Sequence, residues 1–244
     1  LSDSPPARAG TLYLVPTLLG AAPVAGAIPH DVQARIRALD AFVAESAKSA
    51  RAFLKAIGHP RPLAQTPIVE LNEHTPPARI AELLAPVRAG LDVGLLSEAG
   101  CPAIADPGAA LVALAHNEAV RVVPLVGPSA LLLALMASGL DGQRFCFHGY
   151  LPVERAARLH AIRELEACSR AGHGAQLVIE TPYRNERLLQ ALLEACRPDT
   201  RLCIAADLTL ESESIRTLQV AQWRGERVAL AGRPAVFVLQ AASS

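Results

Sequence analysis

Between Ser97 and Gly108 the chain reads SEAGCPAIADPG, twelve residues that set a hydroxyl, two carboxylates, a thiol, two glycines and two prolines between apolar runs. A second short stretch, Gly127-Pro128-Ser129, ends the next apolar run. Glycine lets a backbone approach a ligand closely, and main-chain N–H groups at strand ends and helix starts can cradle it. Ordinary connections need only about two to six residues, so the longer loop has room for more than a reversal of direction. The competing reading is a pair of turns in which Asp106 or Ser129 caps a helix, worth about 1 kcal/mol without any ligand. Two such loops at successive strand ends favour a binding site. Cys101 has no His or Lys beside it in sequence and reads as a packed small residue rather than a nucleophile.

The elements that must carry these loops follow from apolar runs. TLYLVPT, AFVAES, PIVELN, DVGLLS and VRVVPLV read as strands. Helical spacing links Val32, Ile36, Leu39 and Val43, and then Phe53, Leu54 and Ile57, before Gly58 and Pro60 stop the helix. Strand and helix in alternation predict a parallel sheet covered on both faces. The second half reads as strand RFCFHGYLP, a helix over 153–170, strand AQLVIETP, helix RNERLLQALLEAC and strand RLCIAAD. ERVALAGRPAVFVLQ then offers two apolar runs about AGRP, the pattern of a hairpin or edge pairing. The expected organisation is a disordered tail over 1–9, an N-terminal α/β domain over 10–127 and a C-terminal α/β domain over 128–244, with a ligand cleft between the two domains.

Composition narrows the function classes. With 51% hydrophobic residues in 244, the chain can bury a sizeable core. Twenty-three basic and 23 acidic residues give no net charge and so no long-range field that would announce a nucleic acid. Five cysteines, odd in number and without a CxxC pair, suit a reducing compartment. The chain shows no metal-ligand cluster and no apolar run long enough to span a membrane, so a soluble cytoplasmic protein is expected. GxGxxG, GxxxxGK[ST] and GxSxG motifs are absent, which argues against dinucleotide, phosphate-loop and nucleophile-elbow chemistry.

GTLYLVPTLLG, LLSEAGCPAIADPG, VRVVPLVGPSALLLALMASGL and RFCFHGYLP resemble, in order and spacing, the signature segments of the tetrapyrrole methylase superfamily, and within it the small-subunit ribosomal RNA methyltransferase I branch. That resemblance implies a class III methyltransferase of two α/β domains, commonly a homodimer, with S-adenosylmethionine lying between the domains. The cofactor-binding residues it implies are Pro16, Ser97, Glu98, Ala99, Gly100, Cys101, Pro102, Asp106, Pro107, Gly108, Gly127, Pro128 and Ser129, with Glu180 and Thr181 from IETPYR. Within the donor loop Glu98 stands where the family has aspartate and Cys101 where it has threonine. PTLLGA and AESAK replace the branch's PTPIGN and AEDTR, keeping Pro16, Thr17, Gly20 and Glu45 and putting Lys48 in place of arginine. Asn72 and Glu73 survive from an HNE segment in which leucine replaces histidine.

Methyl transfer to a ribose hydroxyl needs a group to take the hydroxyl proton, and Glu45, Glu73 and His74 are the candidates. Lys48, Arg51 and Lys55 share one helix face, which fits a few phosphate contacts or a plain solvated surface. Lys48, Arg51 and Arg184 are the substrate-binding candidates. His148, among apolar residues, reads as a hydrogen-bonded strand histidine. The expected acceptor is the ribose 2'-oxygen of small-subunit ribosomal RNA, with RNA or the ribosomal subunit as partner. C-methylation of a tetrapyrrole, or donor binding without turnover, remain the alternatives.

Overall fold

Strands apolar at every position must be covered on both faces, and the first half of the chain meets that demand with helices on each side of one sheet. The computed structural model describes residues 9–242. The expected tail over 1–9 lies outside the described residues except for Ala9. Two compact units divide the chain, Leu1–Ser129 and Ala130–Ser244.

The first unit runs β1 (Thr11–Val15), α1 (His30–Arg37), β2 (Ala41–Ala44), α2 (Ala47–Ile57), β3 (Ile68–Glu70), α3 (Pro77–Leu83), α4 (Ala85–Arg88), β4 (Val93–Leu96), α5 (Ala109–Asn117) and β5 (Arg121–Pro124). All five strands are parallel, in the order β3-β2-β4-β1-β5. Alternate residues serve opposite faces, as the pleat requires. Tyr13, Val15, Phe42, Ala44 and Leu96 meet Val32 and Ile36 of α1 and Phe53, Leu54 and Ile57 of α2. Leu12, Ala41, Val43, Val93 and Leu95 meet Leu83 of α3, Val87 of α4 and Leu111 and Ala115 of α5. Val43, which shares helical spacing with α1, is a β2 residue, because a strand can use every side chain when both faces are covered. The Ser46 side chain accepts the Ser49 N–H at the start of α2, and Gly58 closes that helix in the left-handed region.

The second unit runs α6 (Ala130–Ser138), β6 (Phe145–Tyr150), α7 (Arg155–Cys168), β7 (Ala175–Ile179), α8 (Asn185–Ala195), β8 (Arg201–Ala206), β9 (Ser214–Gln219), α9 (Val220–Trp223) and β10 (Ala235–Gln240). Its sheet is mixed, in the order β6-β7-β10-β8-β9. Here the expected hairpin about AGRP fails. Residues 226–234 form no strand, and β10 enters the middle of the sheet, antiparallel to both β7 and β8. AVFVLQ is buried on both faces, which only a central position allows. The hairpin partner of β8 is β9, whose sequence SIRTLQ mixes polar and apolar residues as an edge strand does. Leu159, Ile162, Leu188 and Leu192 cover Val178, Ile204 and Phe237, and Trp223 donates its indole N–H to the Leu202 carbonyl at 2.8 Å. His148 lies 2.7 Å from Gln176 Oε1, the satisfied strand histidine that its neighbours implied.

Among the described residues no helix is long and apolar enough to cross a membrane. Trp223 is the chain's single tryptophan, so its fluorescence reports on the second unit. Leu192→Ala empties a fully buried position of α8. It is expected to cost about 2–5 kcal/mol, read as a lower urea midpoint in Trp223 fluorescence.

Candidate functional site

In a parallel sheet every strand delivers its carboxyl end, and the loop after it, to the same edge. Pro16 and Thr17 follow β1, Glu45 follows β2, Glu73 and His74 follow β3, Ser97–Pro102 and Asp106–Gly108 follow β4, and Gly127–Ser129 follow β5. The chain leaves β1 for α1 on one face of the sheet and leaves β4 for α5 on the other. Neighbouring β1 and β4 therefore form a topological switch point, the place at which sheets of this kind generally bind ligands.

Two close backbone approaches tie the loops together at this switch point. Thr17 donates its N–H to Gly100 O at 2.9 Å, an isolated antiparallel bridge between the loops after β1 and β4. The Thr17 hydroxyl reaches Ser97 O at 3.4 Å. On the other side of β1, a Cβ on Gly127 would fall 2.3 Å from Pro16 Cγ, so only glycine lets the β5 loop lie against that proline. Thr17 is the positioning residue that its sequence motif did not single out; its signal was the place directly after Pro16 at a strand end.

The loop after β4 is conformationally unusual. Gly100, Ala103, Ala105 and Gly108 all have positive φ, at 73°, 66°, 61° and 134°. An alanine in that region costs on the order of 1 kcal/mol, so this loop is held against its own preference by what surrounds it. The Cys101 thiol points to Pro128 O at 3.6 Å, and burial pushes its pKa up, which removes it as a nucleophile. Asp106 does not cap α5. Gly108 occupies the cap position with no side-chain hydrogen bond, and Asp106 instead accepts a hydrogen bond from Ser97. The capping explanation for this aspartate is thereby corrected: prolines and positive φ keep it two residues short of the helix.

Carboxylates converge on this edge from two strands. Burial, then the charges of Glu45 and Glu98, push Asp106 up to about 6, while the bond from Ser97 pulls it down. Burial and the charges of Glu98 and Glu73 also raise Glu45, which accepts a hydrogen bond from the Glu98 main-chain N–H. Glu98 is exposed and accepts the Ser49 hydroxyl at 3.0 Å. Glu73 and His74 stand in solvent on the loop after β3, 3.6 Å from each other. Among the described residues no group of His, Cys, Asp or Glu is arranged to hold a metal ion. Mutual repulsion among partly buried carboxylates favours a cation beside them, and the flanking loops supply backbone groups. Those features fit a ligand that carries positive charge at the point facing the carboxylates.

Lys48 and Arg51 lie on the exposed face of α2 with Lys55, and no ion pair among the described residues engages any of the three. Arg35 and Arg37 add two cations in the last turn of α1, on the same side of the sheet. Across the sheet the cations are neutralised, Arg79 by Glu82 and Arg88 by Glu118.

Glu180, Thr181 and Arg184 belong to the second unit, directly after β7. Glu180 Oε1 accepts the Thr181 N–H at 2.6 Å and the Arg184 guanidinium at 3.0 and 2.7 Å. Arg184 is thus clamped to its own turn, a consequence of the four-residue spacing between acid and base.

The sequence profile of the tetrapyrrole (corrin/porphyrin) methylases matches residues 11–222. The protein "Ribosomal RNA small subunit methyltransferase I" of Escherichia coli O157:H7 is 30% identical over 213 residues, spanning 87% of this chain and 70% of that one. Its namesake in Vibrio cholerae serotype O1 is 30% identical over 217 residues, spanning 89% and 71%. Among solved structures, the methyltransferase CobJ superposes with a TM-score of 0.63 at 19% identity over 96% of this chain and 95% of that one, a likeness of fold.

The pH dependence of Asp106 has a definite sign. In the folded chain it keeps its proton up to about 6, against an ordinary value of 3.8, so the folded state binds more protons between those limits. Stability therefore falls as pH rises from about 4 to about 6. Asp106→Asn is expected to flatten that slope, checked by urea unfolding at several pH values across the window.

Proposed function

We propose, for a chain that belongs to the tetrapyrrole (corrin/porphyrin) methylases, that it methylates a ribose 2'-oxygen of small-subunit ribosomal RNA in the cytoplasm. The chain is an S-adenosylmethionine-dependent methyltransferase by family; the acceptor and the residues that serve it are our reading. The observation that carries it is the convergence of Glu45, Glu98 and Asp106 at the carboxyl edge of the first unit's sheet, beside the β1–β4 switch point. Relatives with the printed name ribosomal RNA small subunit methyltransferase I support the choice of acceptor.

Bound S-adenosylmethionine supplies an activated methyl group on a cationic sulfur. Pro16, Ser97–Pro102, Asp106–Gly108 and Gly127–Ser129 are the residues that would hold it, with the carboxyl groups of Asp106 and Glu98 facing its positive charge. Glu45 is the best of the three general-base candidates. Burial raises its pKa and so makes its carboxylate a stronger base, whereas Glu73 and His74 stand in solvent. Lys48, Arg51 and Lys55, engaged by no ion pair among the described residues, suit contacts to RNA phosphates. A local basic face makes RNA compatible with a chain of zero net charge. Homodimerisation belongs to the same proposal and is supported by apolar side chains left in solvent in the second unit, among them Met136 and Val153.

The test is transfer of labelled methyl from the donor to small-subunit ribosomes of a strain lacking the gene. Nuclease-sensitive label in the RNA is the expected outcome; label found solely in small molecules overturns the acceptor. Glu45→Gln is expected to lower kcat about 100-fold or more while leaving donor affinity within about threefold, measured by single-turnover transfer and calorimetry. Gly127→Ala drives a Cβ into Pro16, and donor affinity is expected to fall at least about tenfold with unchanged circular dichroism.

A further inference from the structure

Tyr183 is the most exposed large apolar or aromatic side chain among those described, with 89% of its surface in solvent. The turn that carries it is held by hydrogen bonds on several sides. Pro182–Arg184 form one turn of 3-10 helix, with the Arg184 N–H donated to Thr181 O at 2.8 Å. Beneath it, Glu180 grips both the Thr181 N–H and the Arg184 guanidinium. Behind it, Gly232 donates its N–H to Pro182 O at 3.2 Å, and the fully buried Asn185 donates its amide to Arg233 O at 2.6 Å. All four residues around Tyr183 are anchored, yet the ring itself makes no hydrogen bond or ring contact with any described residue.

A solitary exposed aromatic on a mobile loop would need no explanation. An aromatic ring displayed on a rigid pedestal has already lost the freedom that binding would otherwise take away. Four residues on, in the first turn of α8, Arg187 is exposed and engaged by no ion pair among the described residues. A flat π-face with a nearby cation is the pair of contacts that single-stranded nucleic acid makes, the base stacking on the ring and the phosphate meeting the charge.

We infer that Tyr183 is a stacking platform for an unpaired base of the RNA acceptor, with Arg187 holding an adjoining phosphate and the Glu180–Arg184 clamp holding the platform in place. This rests on the RNA reading above and adds a positioning element to it. Arg184 then serves RNA through its hold on the turn rather than by contact.

The test uses the full chain and a fluorescein-labelled single-stranded oligoribonucleotide of mixed sequence, followed by anisotropy over a range of salt. Tyr183→Ala is expected to weaken binding about 5- to 100-fold with the salt slope unchanged, whereas Tyr183→Phe, which keeps the ring, binds within about twofold of the parent. Arg187→Ala is expected to reduce the slope of log affinity against log salt by about 0.7. Because the side chain is exposed, the melting temperature stays put in each variant. Parental affinity in Tyr183→Ala overturns the inference, as does equal loss in the Phe and Ala variants, which would point to the hydroxyl. A change of sedimentation coefficient in Tyr183→Ala also overturns it, by assigning the ring to a contact between copies. If the parent methylates ribosomal RNA while Tyr183→Ala binds RNA as tightly as the parent, this inference fails alone; if the parent neither binds RNA nor labels it, both readings fail.

Discussion

The hydrogen bond from the Thr17 N–H to Gly100 O spans the place where the first unit's sheet reverses its winding. Chains leave β1 and β4 toward opposite faces there, so nothing in regular secondary structure joins their loops. A buried threonine supplies that join with its N–H and, through its hydroxyl, reaches Ser97 O as well. Gly127 against Pro16 ties in the third loop. With three adjacent strand ends fixed, Ala103 and Ala105 can be kept in a conformation that alanine avoids, because relaxing them would pull on Gly100 and Gly108.

Charge is sorted finely inside a chain whose total is zero. On one side of the first sheet, α1 and α2 carry Arg35, Arg37, Lys48, Arg51 and Lys55 against one carboxylate, Asp31. The opposite side neutralises its arginines locally. At the carboxyl edge, partial burial of Glu45 and Asp106, together with their mutual repulsion and that of exposed Glu98, raises the pKa of both. Composition alone conceals all three environments, because opposite signs cancel in a sum but not in space.

Much of this was legible from residue types. The five strands of the first unit announce themselves as short apolar runs, and both glycine-proline loops fall where such runs end. The split of Leu12 from Tyr13, or Val43 from Phe42, onto opposite faces follows from the pleat once both faces are known to be covered. What escaped has a physical reason in each case. SIRTLQ lacks the apolar density of a strand because it lies at an edge, and AVFVLQ was paired with its sequence neighbour although two-sided burial sends it to the centre. Asp106 looked like a cap because it precedes a helix, but Gly108, two residues on and at positive φ, takes the cap position. The acidic convergence was hidden by distance along the chain; its trace was that Glu45 and Glu98 each come within two residues of a strand's end.

The strand order also sets a timetable on the ribosome. β1 leaves the exit tunnel before both of its partners, β4 and β5: Leu12 pairs with Val93 and Thr11 with Arg121. Thr11 donates its N–H to Asp92, 81 residues downstream. At translation rates of about 5–20 residues per second, β1 waits roughly 4–16 s with both edges unpaired. TLYLV is apolar and β-prone, the kind of segment that pairs with a neighbouring nascent chain when left open. The nascent chain therefore carries an apolar strand without its native neighbours until β4 emerges. Burial of β1 between two late strands makes the first unit's native state the last product of its own synthesis.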